Sequence, residues 1–450
     1  MKRLLNAFGL IAALAVIAGL APASRADTFV IYVAPRDSPA SAAATSKADD
    51  ATAFAERTLH RALTKAGELL QSGPHTVNVL VAPGAYPGKL RAGVWVLPAI
   101  NNPEGSLRLI GGFNDDFTGR QPFGRLSRLL TVEGRDGALL QISGRSALKQ
   151  LVISGFVFDA APSNKYDSKT NSLLKASSRS YPLISFSQLK TTHLVVDSNI
   201  FLNGAHGAFD PFISPLSADT IVDISNNFFI NNIKTMKPAA SSGRGGLTVK
   251  EINLRHNSFL LSWPFNPDST SSNVSAIELY HKDGCQQLNI EGNIFAFNPG
   301  GAMQHDWPED RMPGIAIRSN LFYMNAALFK DGNAANGVIA GKFGTNPKYL
   351  LLDLEIMEDD LGYDMAGNVS LDPKIPIALA DLTAADSYAV ARKDTVLNDV
   401  RRLFGLNQDG GTVAIANFAP ALVFNTSAPP LPAAEQAKAF GVQPNQLWKP

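Results

Sequence analysis

The middle of the chain repeats one short pattern of apolar and polar positions. "VVDSNIFLNG", "VDISNNFFINN", "NLRHNSFLLS", "NIEGNIFAFN" and "AIRSNLFYMN" each set a β-like apolar run before an Asn and an aromatic two places after it. The Asn residues are Asn199, Asn227, Asn257, Asn293 and Asn320, at successive separations of 28, 30, 36 and 27 residues. "LVISGFVF" reads as an earlier copy with Gly155 in the Asn place, and "GNVSLDP" as a later one at Asn368. Repeats with a period of roughly 20–50 residues build solenoids, propellers or arrays. Helix-length apolar patterns are missing from these units, and a propeller blade needs four strands in ~40–45 residues. Short parallel strands stacked turn upon turn at the ~4.8 Å strand spacing fit better.

Each repeated letter then has a role. Asn tolerates the left-handed backbone of a sharp corner, and its side chain hydrogen-bonds locally. Stacked corners place amide over amide. Phe201, Phe229, Phe259, Phe295 and Phe322 hold the place two residues later and are expected to point inward and stack. The unequal spacing falls into loops of different length, where repeat folds keep their binding surfaces.

The flanks follow other patterns. "TFVIYVAP" is a β-like run, followed by a variable Ala/Ser/Pro stretch. In "ATAFAERTLHRALTKAGELLQSG", Leu59, Leu63, Ala66 and Leu70 recur at helical spacing, with Gly73 past the end. "TVNVLVAPGAYPGKL" is an alternating strand closed by Pro83-Gly84, and "LRLIGGF" repeats the strand-then-glycine theme. Past residue 372 the repeat stops. A short helix is expected within "LTAADSYAVARKDTVLNDVRRLFGL", and the Pro/Ala-rich remainder is expected to cover the terminal turn. The organisation is therefore 1–26 leader, 27–138 N-terminal cap and first turns, 139–372 repetitive coil, and 373–450 covering segment.

Composition narrows the function. Of 450 residues, 45% are hydrophobic and 18% charged, which is a globular balance with ample material for a core. A net charge of +1, from 40 basic and 39 acidic residues, argues against a nucleic-acid footprint and a polybasic membrane surface. Lys2 and Arg3, the apolar "LIAALAVIAGL" and the "SRA" ending at Ala26 form a cleavable secretory leader, with "APA" ending at Ala23 as a second cleavage site. Its apolar stretch is short for a membrane span, and no later stretch reads as one. The mature chain is expected to be secreted or periplasmic. Cys285 is the single cysteine, so no internal disulfide and no zinc or iron–sulfur site is expected, and it reads as a small packed residue.

"IYVAP", "TLHRALTKAG", "VNVLVAPGAY" and "LRLIGGF", followed by the Asn–aromatic turns, resemble the pectate-lyase-like superfamily over roughly residues 28–372. The resemblance implies an all-β, right-handed parallel β-helix with an N-terminal capping helix, export, and action on acidic polysaccharides. Members include lyases, hydrolases, epimerases, esterases and proteins with no known catalysis, so the fold leaves the reaction open. "VAPGAYPGKL" resembles the opening of pectin esterases, without their later Asp motifs. No run of Asp residues of polygalacturonase type is present.

In the resembled fold a turn has three strands, the Asn corner lies between the second and third, and the first lines the cleft. That places cleft strands at 183–187, 212–214, 247–249, 276–280 and 302–304. Period-two alternation turns Ile277 and Leu279 inward, and Glu278, Tyr280, Thr248 and Gln304 outward. The loops "HKDG", "HDWPEDR" and "GAHGAFD" add His281, Asp283, His305, Asp306, Trp307, Arg311, His206 and Asp210. Such a set has the groups for proton abstraction beside a uronate carboxylate. His281 or Tyr280 serves as base, Lys250 or Arg311 neutralises the carboxylate, and Glu278 or Asp306 orients a His. Trp307 offers a stacking face, with Gln304, Asp283, His206 and Asp210 as further substrate contacts. Polar loop residues of a solenoid are also ordinary solvated surface, and His193 and His256 take a structural reading. No cofactor motif is evident. "EIMEDDLGYD" reads as a solvated acidic face, with Ca²⁺ as the alternative it leaves open. "SSGRGG" is neither a P-loop nor a dinucleotide fingerprint.

Two functions are consistent with this reading. One is an exported enzyme acting on an anionic polysaccharide, as a uronate lyase or C5-epimerase. The other is a non-catalytic glycan-binding or surface scaffold protein of the same architecture.

Overall fold

The computed structural model describes residues 26–87, 95–132, 138–142, 146–160, 166–167, 172–173, 182–186, 189–202, 204, 209–210, 213–230, 232, 249–260, 262, 275–279, 285–296, 298, 301–305, 314–323, 325–328, 334–336, 338–341, 348–350, 358–359, 362–374 and 431–447. Residues 1–25 of the leader, residues 241–246, and the stretch expected to hold a helix past residue 372 lie outside them.

Parallel sheets carry most of the strands. An 11-stranded long sheet runs from Ala53–Glu56 through Thr28–Val33, Thr76–Val81, Asn101–Ile110, Ala147–Ser154, Leu189–Asp197, Ile221–Ser225, Val249–Arg255 and Cys285–Glu291 to Gly314–Arg318, with Ile213–Pro215 beside the first half of Leu189–Asp197. A nine-stranded second sheet is built of strands of two to four residues, from Gly84–Pro87 to Val369–Ser370. Third-sheet strands are shorter in number: Trp95–Leu97, Leu140–Ile142, Ile184–Ser185 and Phe209–Asp210, and the pair Ile277–Leu279 and Met303–His305. The chain visits the sheets in rotation, as in Ile184–Ser185, Leu189–Asp197, Ile200–Leu202 and then Phe209–Asp210. Parallel neighbours need a crossover, and here the other two sheets supply it.

The corner between the long and second sheets explains the recurring Asn. The backbone N–H and the Nδ2 of Asn199 both donate to Oδ1 of Asn227, at 2.9 and 3.1 Å. The same pair of bonds joins Asn227 to Asn257, Asn257 to Asn293, Asn293 to Asn320 and Asn320 to Asn368. Each Nδ2 also donates to a carbonyl one turn back, as Asn257 does to Ile224 O at 2.9 Å. A buried amide survives in a core because all its groups are satisfied.

One detail differs from expectation. The left-handed residue is the one before the Asn: Ser198, Asn226, His256, Gly292, Ser319 and Gly367 have φ between 50° and 73°. Gly155, at φ 79°, belongs to this place, and Phe156 stands where the Asn was expected, donating its N–H to Asn199 Oδ1. The Asn is needed for its amide rather than for its backbone tolerance. A second ladder lies five residues on. Asn232, Asn298 and Asn325 donate to Phe201 O, Phe259 O and Phe295 O, and Gly204 and Ser262 present their N–H groups to Asn232 and Asn298.

The expected Phe column is present and is one ring longer. Phe158, Phe201, Phe229, Phe259, Phe295 and Phe322 stack with centroids 4.8–5.2 Å apart and planes within 7°. All six are fully buried, each contributing about 1.5–3 kcal/mol by leaving water.

Helix Leu59–Ser72 starts at Thr58, whose side chain accepts from the Arg61 N–H. Its buried face of Leu59, Ala62, Leu63, Ala66 and Leu70 joins the core beside the first strands of the long and third sheets. The variable Ala/Ser/Pro stretch holds the helix Ala40–Lys47. Residues 431–447 lie along the Asn corner at mid-column. Gly441 N–H donates to Gly292 O at 2.7 Å, and Asn226 exchanges bonds with Gln443 N–H and Gln446 O. Among the described residues no helix is long and apolar enough to cross a membrane.

Candidate functional site

The open face of the long sheet carries a continuous polar chain. Arg108 Nε, a donor only, bonds Gln150 Oε1 at 3.2 Å, which turns the Gln150 amide nitrogen toward His193 Nδ1, also at 3.2 Å. His193 Nδ1 must then accept, so the ring proton is on Nε2, which donates to Asp223 Oδ2 at 2.7 Å. From the other side Gln287 donates to Asn289, Asn289 to Asn253, and Asn253 to Asp223 Oδ1 at 2.9 Å. Two donor chains thus converge on one carboxylate. Burial pushes the Asp223 carboxyl up, but the bonds from His193 and Asn253 and the charges nearby outweigh it and hold it below the usual carboxylate range.

Beside this chain lies a buried acid–base cluster. Asp197, 2% exposed, accepts from Ser198 Oγ at 2.6 Å, Ser225 Oγ at 2.9 Å and Ser154 Oγ at 3.2 Å. Arg120 donates to Ser154 Oγ and to Gly111 O. Burial pushes the Arg120 guanidinium down to about 10, opposed by the Asp197 charge, so it stays cationic at neutral pH. Between the chain and the cluster is an open depression of about 240 Å³ lined by His193, Val195, Asp223, Ser225, Asn253 and Arg255.

The residues singled out from the sequence are distributed as follows. Third-sheet register sets Glu278 opposite Gln304 and Leu279 opposite His305 on neighbouring strands. Asp210 is itself on a third-sheet strand, opposite Ser185, rather than in the loop before one. The cleft strand expected at 212–214 is corrected, because Ile213–Pro215 pairs with Leu189–Thr191 of the long sheet. Phe209–Asp210 takes the third-sheet place, a strand of two residues that β-propensity alone does not reveal. The strand expected at 247–249 is corrected likewise. Val249 opens a long-sheet strand, so Lys250 sits on that sheet, half exposed and 3.7 Å from Asp219, while Glu278 is on the third. Tyr280, His281, Asp283, His206, Asp306, Trp307 and Arg311 lie outside the described residues, as does Thr248.

No protein-family model, curated protein or solved structure matches the chain. The functional reading therefore stands on residues and geometry alone.

The polar chain and the depression escaped the sequence reading, although a signal exists. Aligning turns on the ladder Asn puts Asp223, Asn253 and Asn289 all four places before it, and Asp197, Ser225, Arg255, Glu291 and Arg318 two places before it. His193 has both ring nitrogens engaged within the chain, in keeping with its structural reading. His256 occupies a left-handed corner, where its Nδ1 is buried without a partner among the described residues. Of the acidic run, Glu358 and Asp359 are exposed, and Asp364 pairs with Arg318. Among the described residues no group of three or more His, Cys, Asp or Glu side chains is placed to hold a metal.

Proposed function

We propose that the chain is an exported, right-handed parallel β-helix of the pectate-lyase-like kind, capped by helix Leu59–Ser72, that acts on an anionic polysaccharide by β-elimination or C5 epimerisation. The observation that carries the reading is the register of Ile277–Leu279 with Met303–His305. It starts the loops bearing Tyr280, His281 and Asp283, and Asp306, Trp307 and Arg311, from strand ends about 4.8 Å apart on successive turns. Both reactions begin with removal of the proton beside a uronate carboxylate. His281 or Tyr280 would take that proton, Arg311 would neutralise the carboxylate, and Glu278 or Asp306 would orient a His. With Lys250 on the long sheet, Arg311 is the better cation for this task.

The test is incubation of the purified protein with a panel of uronate-containing glycans. New unsaturated ends absorb in the ultraviolet and report a lyase, and proton NMR of the same samples reports epimerisation. Activity lost on His281→Asn and weakened on Glu278→Gln supports the reading. Silence in both assays across the panel defeats it.

A non-catalytic glycan-binding or scaffold role is the second reading. What favours it is the polar chain itself, in which His193 is bound at both nitrogens and serves the sheet. Retention of polymer on the protein without turnover would select it.

A further inference from the structure

The depression is lined by residues of the long sheet, whereas the strands Ile277–Leu279 and Met303–His305 belong to the third. His193 and Asn253 have spent their polar groups on the chain and act as walls. Three groups keep capacity. Asp223 accepts one bond at each carboxylate oxygen, which leaves lone pairs on both. Ser225 donates its proton to Asp197 and so presents its oxygen as an acceptor. The Arg255 side chain, 45% exposed, makes no hydrogen bond through its guanidinium among the described residues, and its Nε lies 3.7 Å from Glu291 Oε2. Val195, 2% exposed, forms the floor.

We propose that this depression binds one uncharged pyranose residue of a glycan, with neighbouring hydroxyls shared between the Asp223 carboxylate and the Arg255 guanidinium. A hydroxyl pair needs both an acceptor and a donor. Asp223 and Arg255 are two residues and one strand apart, which at ~3.3 Å per residue and ~4.8 Å per strand leaves about 8 Å between their backbones, enough for one sugar ring. The volume suits a single ring, being below the roughly 300 Å³ where drug-sized pockets begin. Charge argues against an anionic occupant. One carboxylate and one guanidinium face the space, Asp197 underlies Ser225, and Glu291 already stands beside Arg255. The acceptor is also pre-set, because the two donor chains fix the Asp223 carboxylate before any ligand arrives.

The test is titration of the full chain with neutral oligosaccharides (glucans, mannans, xylans and galactans) and with uronate oligomers, followed by calorimetry or NMR. A neutral oligosaccharide should bind with an affinity unchanged between low and high salt. Arg255→Gln should weaken it about tenfold or more, because a hydrogen bond from a charged group is lost. Ser225→Val should block it by filling the depression, and Glu278→Gln should leave it unchanged. Unaltered circular dichroism of Arg255→Gln secures the comparison. Absence of neutral-glycan binding, indifference to Arg255→Gln and Ser225→Val, or salt-sensitive binding of uronates alone at this site would each overturn the proposal. Turnover of uronates at the third-sheet loops is scored separately and is indifferent to Arg255→Gln and Ser225→Val.

Discussion

His193 and Asp223 are joined by a 2.7 Å bond whose direction is set two hydrogen bonds beyond His193, at Arg108. Because Asp223 receives donors on both oxygens, an amide in its place cannot satisfy them. Asp223→Asn is therefore expected to destabilise by roughly 1.5–3 kcal/mol, with one donor facing another. The folded carboxyl titrates below its unfolded value. Its contribution is present above about pH 4 and is lost as pH falls through the folded value. Denaturation midpoints measured down to pH 2.5 should show a shallower acid loss in the variant, and equal slopes would refute this.

The Asn ladder predicts a positional effect. Asn257 is fully buried, and its side chain makes four bonds, with Asn227, Ile224 and Asn293. Asn257→Ala strands at least two buried partners, for a loss of about 3–5 kcal/mol. Asn368 ends the ladder half-buried, where water replaces lost partners, so Asn368→Ala should cost about 1 kcal/mol. Chemical denaturation of the two variants separates them, and similar losses would refute the ladder's role.

Phe259 lies between Phe229 and Phe295 at 4.8 Å on either side. Phe259→Ala should cost about 3–5 kcal/mol through lost burial and the void. Phe259→Leu should cost less while forfeiting two aromatic pairs, each worth about 0.5–1.5 kcal/mol. A Leu variant as unstable as the Ala variant would mean that stacking, not burial, dominates.

His256 is held below its ordinary pKa, first by burial and also by the Arg255 charge, against Glu291 and a bond to the Gly441 backbone. The unfolded chain therefore protonates first, and stability declines as pH drops below about 6.5 toward the folded value. His256→Asn keeps a residue suited to a left-handed corner, as Asn226 shows one turn earlier, and removes the titration. The variant should lose less stability than the parent between pH 7.5 and 5.5. Matching losses in both proteins would exclude His256 as the source.

Gly441 has φ 68°, and a Cβ there would come within 2.5 Å of Ser258 Oγ and 2.7 Å of Ile294 Cδ1. Gly441→Ala should undock residues 431–447, at about 1–2 kcal/mol from the backbone alone. Limited proteolysis should cut within this segment faster than in the parent. An unchanged cleavage rate would show that the contact is not tight.

The column was legible because ladders demand the same residue at every turn. Amide must meet amide and ring must meet ring, so Asn227 and Phe229 announce themselves in the spelling. The left-handed corner was misplaced because Ser198, Asn226, His256 and Gly292 share a backbone shape and no letter. The polar chain was missed for a related reason. Arg108, Gln150, His193 and Asp223 cooperate through complementary, unlike groups. Of the candidate site, the strands at 277–279 and 303–305 were found, while 213–215 and 249 went to another sheet because short strands leave too little alternation to read.

Asn226 Nδ2 donates to Gln446 O, across a sequence separation of 220 residues. A ribosome releases the partner of this mid-column corner some 220 residues after the corner itself. Whatever order the intervening layers assemble in, this seam stays open until then, and a chain interrupted before residue 441 must wait with it unsealed.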